Sequence, residues 1–147
     1  MSLIVGFLVG CSDVAGPGAG DVHGLQLLLT IAPDTVLAGE EFEARLSIVN
    51  TAADTVVPVA ANSCAAMVGV YKDDKRQDGS NVFKGTDYGC LTVPMAWPIA
   101  GRDSLIMLWQ VPAGTGEYLP ESGEYTFRVD FEVSPELPSL ERLFWVR

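Results

Sequence analysis

The chain of 147 residues has few histidines and few basic side chains. His23 is its single histidine, and it lies beside a Gly-rich segment, whereas a catalytic base must be held rigidly near its nucleophile. We therefore predict no catalytic residue and expect that the protein is not an enzyme. The 9 Lys and Arg against 19 Asp and Glu give a net charge of −10. Nucleic-acid binding relies on concentrated positive charge, so the composition argues against a nucleic-acid partner.

The chain also lacks a long hydrophobic run at its start. The segment Leu3–Gly10, "LIVGFLVG", is much shorter than the roughly 20 residues of a membrane-spanning helix. Its length suits the apolar region of a signal peptide, which takes roughly 7–15 residues. We predict a signal peptide over residues 1–10 and a flexible, Gly- and Pro-rich tether over 11–24. The alternative is a structural Cys11 in an N-terminal strand.

The segment Leu8–Cys11, "LVGC", resembles the lipobox of bacterial lipoproteins. The resemblance implies a diacylglycerol on the Cys11 thiol, cleavage before Cys11 and acylation of the new N-terminus. Several acyl chains anchor stably because each buried methylene contributes about 0.8 kcal/mol. The start "MSL" departs from the family pattern, since it has no Lys or Arg. The resemblance predicts an extracytoplasmic protein that is anchored in a membrane through Cys11, either periplasmic or at the cell surface.

An odd number of cysteines in a secreted chain needs an explanation. Lipidation of Cys11 leaves Cys64 and Cys90, and an oxidising compartment favours a disulfide between them. Closure of that loop would contribute roughly 3–4 kcal/mol in the chain-entropy treatment. The alternative is two buried free thiols. The paired Cys and His ligands of a zinc site are missing from the sequence, and we expect no metal site and no cofactor.

Most of the chain alternates apolar and polar residues with a period of two, which is typical of half-buried β-strands. The clearest cases predict inward faces made of Phe42, Ala44, Leu46 and Ile48, and of Tyr125, Phe127, Val129, Phe131 and Val133. Further strand candidates are Leu25–Ile31, Thr55–Ala60, Met67–Tyr71, Ser104–Val111 and Leu140–Arg147. Pro58 restricts its strand to an edge or a bulge. About seven strands predict an all-β antiparallel β-sandwich over residues 25–147, with a closed barrel as the alternative.

Two parts of this pattern resemble bacterial Ig-like domains. In Leu37–Val59 a Gly turn precedes a strand that ends in Asn-Thr, and Gly123–Tyr125 is similar to a tyrosine corner. Phe127 stands where an antibody domain would have its second cysteine. Over roughly residues 25–133 the pattern is similar to that of the intracellular proteinase inhibitor (BsuPI-like) family. The resemblance implies an Ig-like sandwich and inhibition of a protease.

Aromatic side chains on loop-like segments are the remaining candidates for a site. Tyr88, Trp97 and Tyr118 are candidate interface residues, because exposed Trp and Tyr often anchor protein interfaces. The alternative for Trp97, which lies among prolines, is a cap over one end of the core. Trp109 and Trp145 fall inside predicted strands, and we predict that both belong to the core.

These features together predict a non-catalytic Ig-like module that binds an unknown envelope or extracellular protein through Tyr71–Gly101. One alternative is a proteinase inhibitor that presents the loop Asp87–Met95 to a protease. Another is a carbohydrate- or ion-binding module that uses Trp97 and loop acids. Asp73–Asn81 does not match a calcium-binding loop, because Arg76 falls on a ligand position, and we predict a hairpin loop there.

Overall fold

The protein is all-β, as the alternating pattern predicts. Its structure, a computed structural model, describes residues 19–37, 40–73, 75–76, 91–112 and 122–147. The strands in chain order are β1 (Ala19–Val22), β2 (Leu25–Ala32), β3 (Thr35–Val36), β4 (Glu41–Asn50), β5 (Val59–Ala60), β6 (Ala66–Lys72), β7 (Lys75–Arg76), β8 (Met95–Ala96), β9 (Ser104–Pro112), β10 (Gly123–Phe131) and β11 (Leu140–Val146). Among the described residues no segment forms a helix.

The strands form an Ig-like β-sandwich, which confirms the predicted fold class. One sheet has the order β1-β2-β4-β9, and the other has the order β3-β11-β10-β6-β7. The pairs of long strands are antiparallel, while the short β3 pairs with β11 in parallel. A small ladder of β5 and β8 lies outside both sheets. Six of the strands have seven or more residues, and each of these six corresponds to one of the seven predicted strands.

The core lies between the two sheets and is closed by aromatic rings. The four predicted inward side chains of β4 are at most 1% exposed. The Phe42 ring lies 6.5 Å from the Phe127 ring and 4.6 Å from the Phe144 ring, centroid to centroid, so the two sheets are in contact. Tyr125 stacks on Phe144 at 5.7 Å. Phe131 is half-buried at the end of β10 and Val133 lies beyond that strand, and both pack against the core as predicted.

The folded unit begins earlier than the predicted boundary at residue 25. β1 pairs with β2 through a turn at His23 and Gly24, which have φ angles of 54° and 76°. Both angles lie in the left-handed region, which glycine adopts freely and histidine adopts uncommonly. Residues 19–24 are therefore part of a β-hairpin rather than of a tether. Cys11 and the rest of the predicted signal peptide and tether lie outside the described residues.

The predicted strand Thr55–Ala60 is only partly a strand. β5 contributes two residues, and Val56 instead forms a single bridge to Ile99. Pro58 has no N–H to donate, while its carbonyl accepts a hydrogen bond of 2.9 Å from the Trp97 N–H. Pro58 lies just before β5 and outside both large sheets, so its missing N–H interrupts neither of their ladders.

The prediction that Trp145 belongs to the core is wrong. Phe144 and Val146 face the core, so the alternation of β11 turns Trp145 outward, where it is half exposed. Trp109 does face inward, and its ring lies 6.0 Å from the Phe127 ring. It remains half-buried because β9 is the last strand of its sheet. The sequence showed that both residues lie in strands, but it left the face of Trp145 undecided.

Candidate binding surface at one end of the sandwich

A buried asparagine joins two turns beside the candidate surface. The Asn50 side chain is fully buried and donates hydrogen bonds from Nδ2 to the carbonyl oxygens of Asp54 (2.8 Å) and Ile99 (2.9 Å). Its Oδ1 accepts a hydrogen bond of 3.0 Å from the Ala52 N–H. Its backbone N–H donates to the Asp103 carbonyl at 2.9 Å. Asn50 therefore fixes residues 99–103 against the turn that follows β4. In the sequence, this turn is indicated by the Asn-Thr pair at the end of the strand.

Gly101 brings the same two turns into direct contact. A Cβ atom at this position would lie 1.8 Å from the Ala53 carbonyl oxygen, which leaves no room for a side chain. Ile99, two residues earlier, is buried in the core and exchanges backbone hydrogen bonds with Val56 at 2.9 and 3.0 Å. These contacts consequently fix the position at which the residues before Ile99 leave the core.

Three segments lie side by side at this end of the sandwich. β5 pairs with β8, with Val59 opposite Ala96 and Ala60 opposite Met95. On its other side, Val59 exchanges two backbone hydrogen bonds with Ser134, at 2.8 and 2.9 Å. Residues 56–60 are thus held between residues 95–99 and the chain that follows β10. None of the three segments belongs to either large sheet. Their outer surface is formed by loops, and contacts with the core hold these loops in place.

Trp97 lies at the base of this arrangement. Its ring makes an edge-to-face contact with Phe131 at a centroid distance of 6.5 Å, and it packs against the core while remaining half-buried. These contacts favour the end-cap alternative for Trp97 over a fully presented interface residue. They also disfavour stacking of a sugar ring on Trp97. The other two candidate interface residues, Tyr88 and Tyr118, lie outside the described residues.

Large apolar side chains are exposed on the segments around Trp97. The five side chains range from 38% exposed for Met95 to 67% for Leu91, and the others are Val57, Val59 and Val93. We call these five residues the end surface; they lie on neighbouring segments, and the β5–β8 register turns Val59 and Met95 to opposite faces of the ladder. Single exposed apolar residues are ordinary, but a concentration of them marks a site of interaction. The sequence contains a signal for three of them, since Leu91, Val93 and Met95 follow a period of two, whereas the interface residues predicted for these loops are all aromatic.

A broad, open depression of about 700 Å³ adjoins the end surface. Its walls include Val59, Pro94 and Phe131, and two exposed carboxylates, Glu132 and Glu136, lie at its margin. The depression is therefore mostly apolar, with negative charge on one side. An apolar site with a few polar groups is the usual composition of a binding pocket.

The backbone beside Cys64 touches the backbone beside Cys90. Cys64 is buried, and its N–H donates to the Asn62 side-chain oxygen at 2.8 Å. Ser63 donates its N–H to the Leu91 carbonyl at 3.1 Å, and Leu91 donates its N–H to the Ser63 hydroxyl at 2.8 Å. Cys90 lies outside the described residues, so the Cys64–Cys90 disulfide stays a prediction. The contact between their neighbours supports it.

The outer face of the second sheet carries charge rather than an apolar surface at its centre. Arg128 donates from Nε to Asp130 at 2.9 Å, and its Nη1 lies 3.5 Å from Glu141. The hydrogen bond to Asp130 is the largest cause that raises the pKa of Arg128 above its usual value. Ionic pairs this exposed contribute little to stability, so this cluster mainly keeps the face hydrated.

The described residues contain neither a metal-ligand cluster nor a membrane-spanning helix. There, no group of three or more His, Cys, Asp or Glu side chains lies close enough together to hold a metal ion. In the same part of the chain, no helix has the length and apolar character needed to cross a membrane.

Known proteins resemble this chain in structure more than in sequence. No family model matches it, and no curated protein matches it. A CARDB domain from Pyrococcus furiosus in complex with di-metal ions aligns over 86% of this chain and 97% of its own, with a TM-score of 0.46 and 12% identity. A sporulation control protein from Bacillus subtilis aligns over 86% of this chain and 50% of its own, with a TM-score of 0.45 and 11% identity.

An alkylpurine DNA glycosylase from Pseudomonas fluorescens, bound to DNA with an abasic site analogue, also aligns with the chain. The alignment covers 88% of this chain at 16% identity and a TM-score of 0.46. It covers 32% of the glycosylase, so this chain spans about a third of the length of that protein.

Proposed function

We propose that the protein is a lipid-anchored, extracytoplasmic Ig-like module that binds another envelope or extracellular protein and catalyses no reaction. The observation that carries the binding role is the end surface beside its depression, which leaves five large apolar side chains exposed. The proposed anchor is Cys11 in "LVGC". The proposed Cys64–Cys90 disulfide would tie the start of the exposed segment to the body of the sandwich.

The chemistry of the surface indicates the kind of partner. The depression would receive an apolar anchor side chain, because buried aromatic and aliphatic anchors dominate protein interfaces. Glu132 and Glu136 would face basic residues on the partner, and the net charge of −10 would speed the approach of a basic surface. Because charges at the margin of an interface act mainly on association, we expect the binding rate to fall as salt concentration rises.

A second candidate function uses the same segment. Leu91 and Val93 are the most exposed of the five side chains, and both belong to the predicted inhibitory loop Asp87–Met95. A proteinase inhibitor would insert such a loop into a protease cleft while its own chain stays intact. Assay of a panel of serine proteases at micromolar concentration separates the two candidates, because the proposed envelope-binding module inhibits none of them.

The proposal is tested by photocrosslinking in the cells that produce the protein. A photoreactive residue in place of Val93 is expected to yield one discrete adduct with an envelope protein, because Val93 would be covered by the partner. The matched control is the same residue in place of Leu28, which is 51% exposed on the outer face of the first sheet. Replacement of Val59 and Met95 by serine is expected to lower the affinity of the purified partner on the order of tenfold or more, as truncation of interface anchors does.

Two outcomes would contradict the proposal. One is the same adduct from Leu28 and Val93, which would mean contact without a defined surface. The other is an unchanged affinity of the partner for the Val59→Ser, Met95→Ser protein when its unfolding curve matches that of the parent.

A further inference from the structure

Strand β9 leaves one of its two edges unpaired in the described part of the chain. On one side it pairs with β4 over its whole length, from Glu41 opposite Pro112 to Val49 opposite Ser104. It is the last strand in the order of its sheet. A free strand edge presents a row of backbone N–H and carbonyl groups that can pair with another strand.

Within the described residues, the edge of β9 carries none of these protections: charge, an internal proline, a bulge or short length. Natural edge strands are kept apart by charged side chains, by proline, by bulges or by short length. β9 has 9 residues, and Ser104–Val111 contains no charged side chain. Its proline, Pro112, is the last residue of the strand. A strand of this composition would be hazardous to the protein if nothing covered it.

The core itself is incomplete at this edge. Leu105, Met107 and Trp109 point inward and pack against the core, yet they stay half-buried. The inward side chains of the neighbouring β4 are at most 1% exposed. On the outer face, Ile106 and Leu108 are 45% and 55% exposed. Both faces of β9 would therefore bury apolar surface if one more strand were added.

We propose that the added strand is β9 of a second copy of this chain, paired antiparallel around a two-fold axis at Met107. The sequence "SLIMLWQ" reads in the same pattern from either end around this residue. In that register the inward Leu105 of one copy lies opposite Trp109 of the other. On the outer face, Ile106 lies opposite Leu108 in the same way. The polar ends also match, since Ser104 lies opposite Gln110.

Other registers fit less well. A shift of one residue would place the second core on the opposite face of the joined sheet, because side chains alternate with a period of two. A shift of two residues keeps both cores on one face, but it places Ser104 opposite Leu108 in one direction and Ile106 opposite Gln110 in the other. The register centred on Met107 is therefore the one that also matches apolar with apolar and polar with polar side chains.

A second copy is favoured over other partners by charge as well. An acidic chain normally repels its own copies. Here the pairing strand is uncharged, so the contact brings no like charges directly together. Pairing of strand edges covers less surface than a standard interface of about 1,600 Å², and we expect a dissociation constant on the order of micromolar. This inference depends on neither the lipid anchor nor the end surface, so its failure would leave the proposed function standing.

Cysteine crosslinking tests the register in full-length chains that carry Cys11→Ser. Met107→Cys is expected to give a disulfide-linked dimer under mild oxidation, because directly opposite Cα atoms lie about 4.5–5.5 Å apart, within the range that a disulfide spans. Leu28→Cys, an exposed position on the same sheet, is the matched control and should stay monomeric. Leu105→Cys and Trp109→Cys should crosslink when mixed and should not do so separately. Equal crosslinking of Leu28→Cys and Met107→Cys would overturn the register.

Sedimentation equilibrium tests the dimer without a crosslink. The Cys11→Ser chain is expected to shift with concentration from 15.7 kDa toward twice that mass. Met107→Lys should remain a monomer, because two ammonium groups would face each other at the axis. A chain that stays monomeric up to about 1 mM, or a dimer that survives Met107→Lys, would overturn the proposal. If Met107→Lys fails to fold, the crosslinks decide.

Discussion

Replacement of Asn50 by alanine is expected to lower the free energy of unfolding by about 3 kcal/mol, which is a large fraction of the stability of a small domain. The substitution removes two side-chain hydrogen bonds to the carbonyl oxygens of Asp54 and Ile99 and one from the Ala52 N–H. Asn50 is fully buried, so water does not readily replace these partners. Urea denaturation followed by circular dichroism measures the change.

Asn62→Ala is the matched control for this experiment. Asn62 is half-buried and accepts one hydrogen bond, from the Cys64 N–H. Its loss is expected to cost about 1 kcal/mol. Equal effects of the two substitutions would show that Asn50 is not the residue that joins the turns.

Gly101→Ala is expected to destabilise the protein by about 2–4 kcal/mol, for a steric rather than a polar reason. The added methyl group would lie 1.8 Å from the Ala53 carbonyl oxygen and 2.4 Å from the carbonyl carbon. Both atoms belong to the backbone, so one of the two turns must move. Gly20→Ala is the control, because its methyl group would meet the Pro138 side chain at 3.2 Å and no backbone atom within reach. We expect its cost to stay below about 1 kcal/mol.

The effects of Asn50→Ala and Gly101→Ala on the free energy of unfolding should not be additive. Once Asn50→Ala has loosened the contact between the turns, the methyl group at position 101 has room to move, so the double variant should lose less than the sum of the single losses. Simple additivity would mean that Asn50 and Gly101 hold separate parts of the structure. In either case residues 99–103 determine the position of the segments that carry the end surface. This relates Asn50 and Gly101 to the proposed binding.

The sequence predicted the fold well where a strand has one solvent-exposed face and one buried face. β4 and β10 alternate so regularly that their inward residues could be named in advance, and Phe42, Leu46, Tyr125 and Phe127 are all buried. The hairpin of β1 was missed, because a segment of Gly, Ala and Asp lacks that alternation. Trp145 was misplaced, because the apolar Leu143, Phe144, Trp145 and Val146 form a run in which neither face is polar.

The candidate site was predicted only in part, because its contacts are distant in sequence. Trp97 was identified from its type and its prolines, but the ring that packs against it, Phe131, follows 34 positions later. The exposure of Leu91 and Val93 depends on the pairing of β5 with β8, which positions the residues before β8 outside the core. The free edge of β9 likewise follows from sheet order, which local pattern does not contain.

We propose that this protein is a tethered module outside the cytoplasm, and the mass of the mature chain tests this proposal most directly. The protein would be produced from its own gene, with any upstream residues the gene encodes, and alkylated without reductant before intact-mass analysis. We predict a chain that begins at Cys11 with acyl chains attached, and with Cys64 and Cys90 unlabelled. An uncleaved chain with an alkylated, lipid-free Cys11 would contradict the account and would favour the intracellular inhibitor instead.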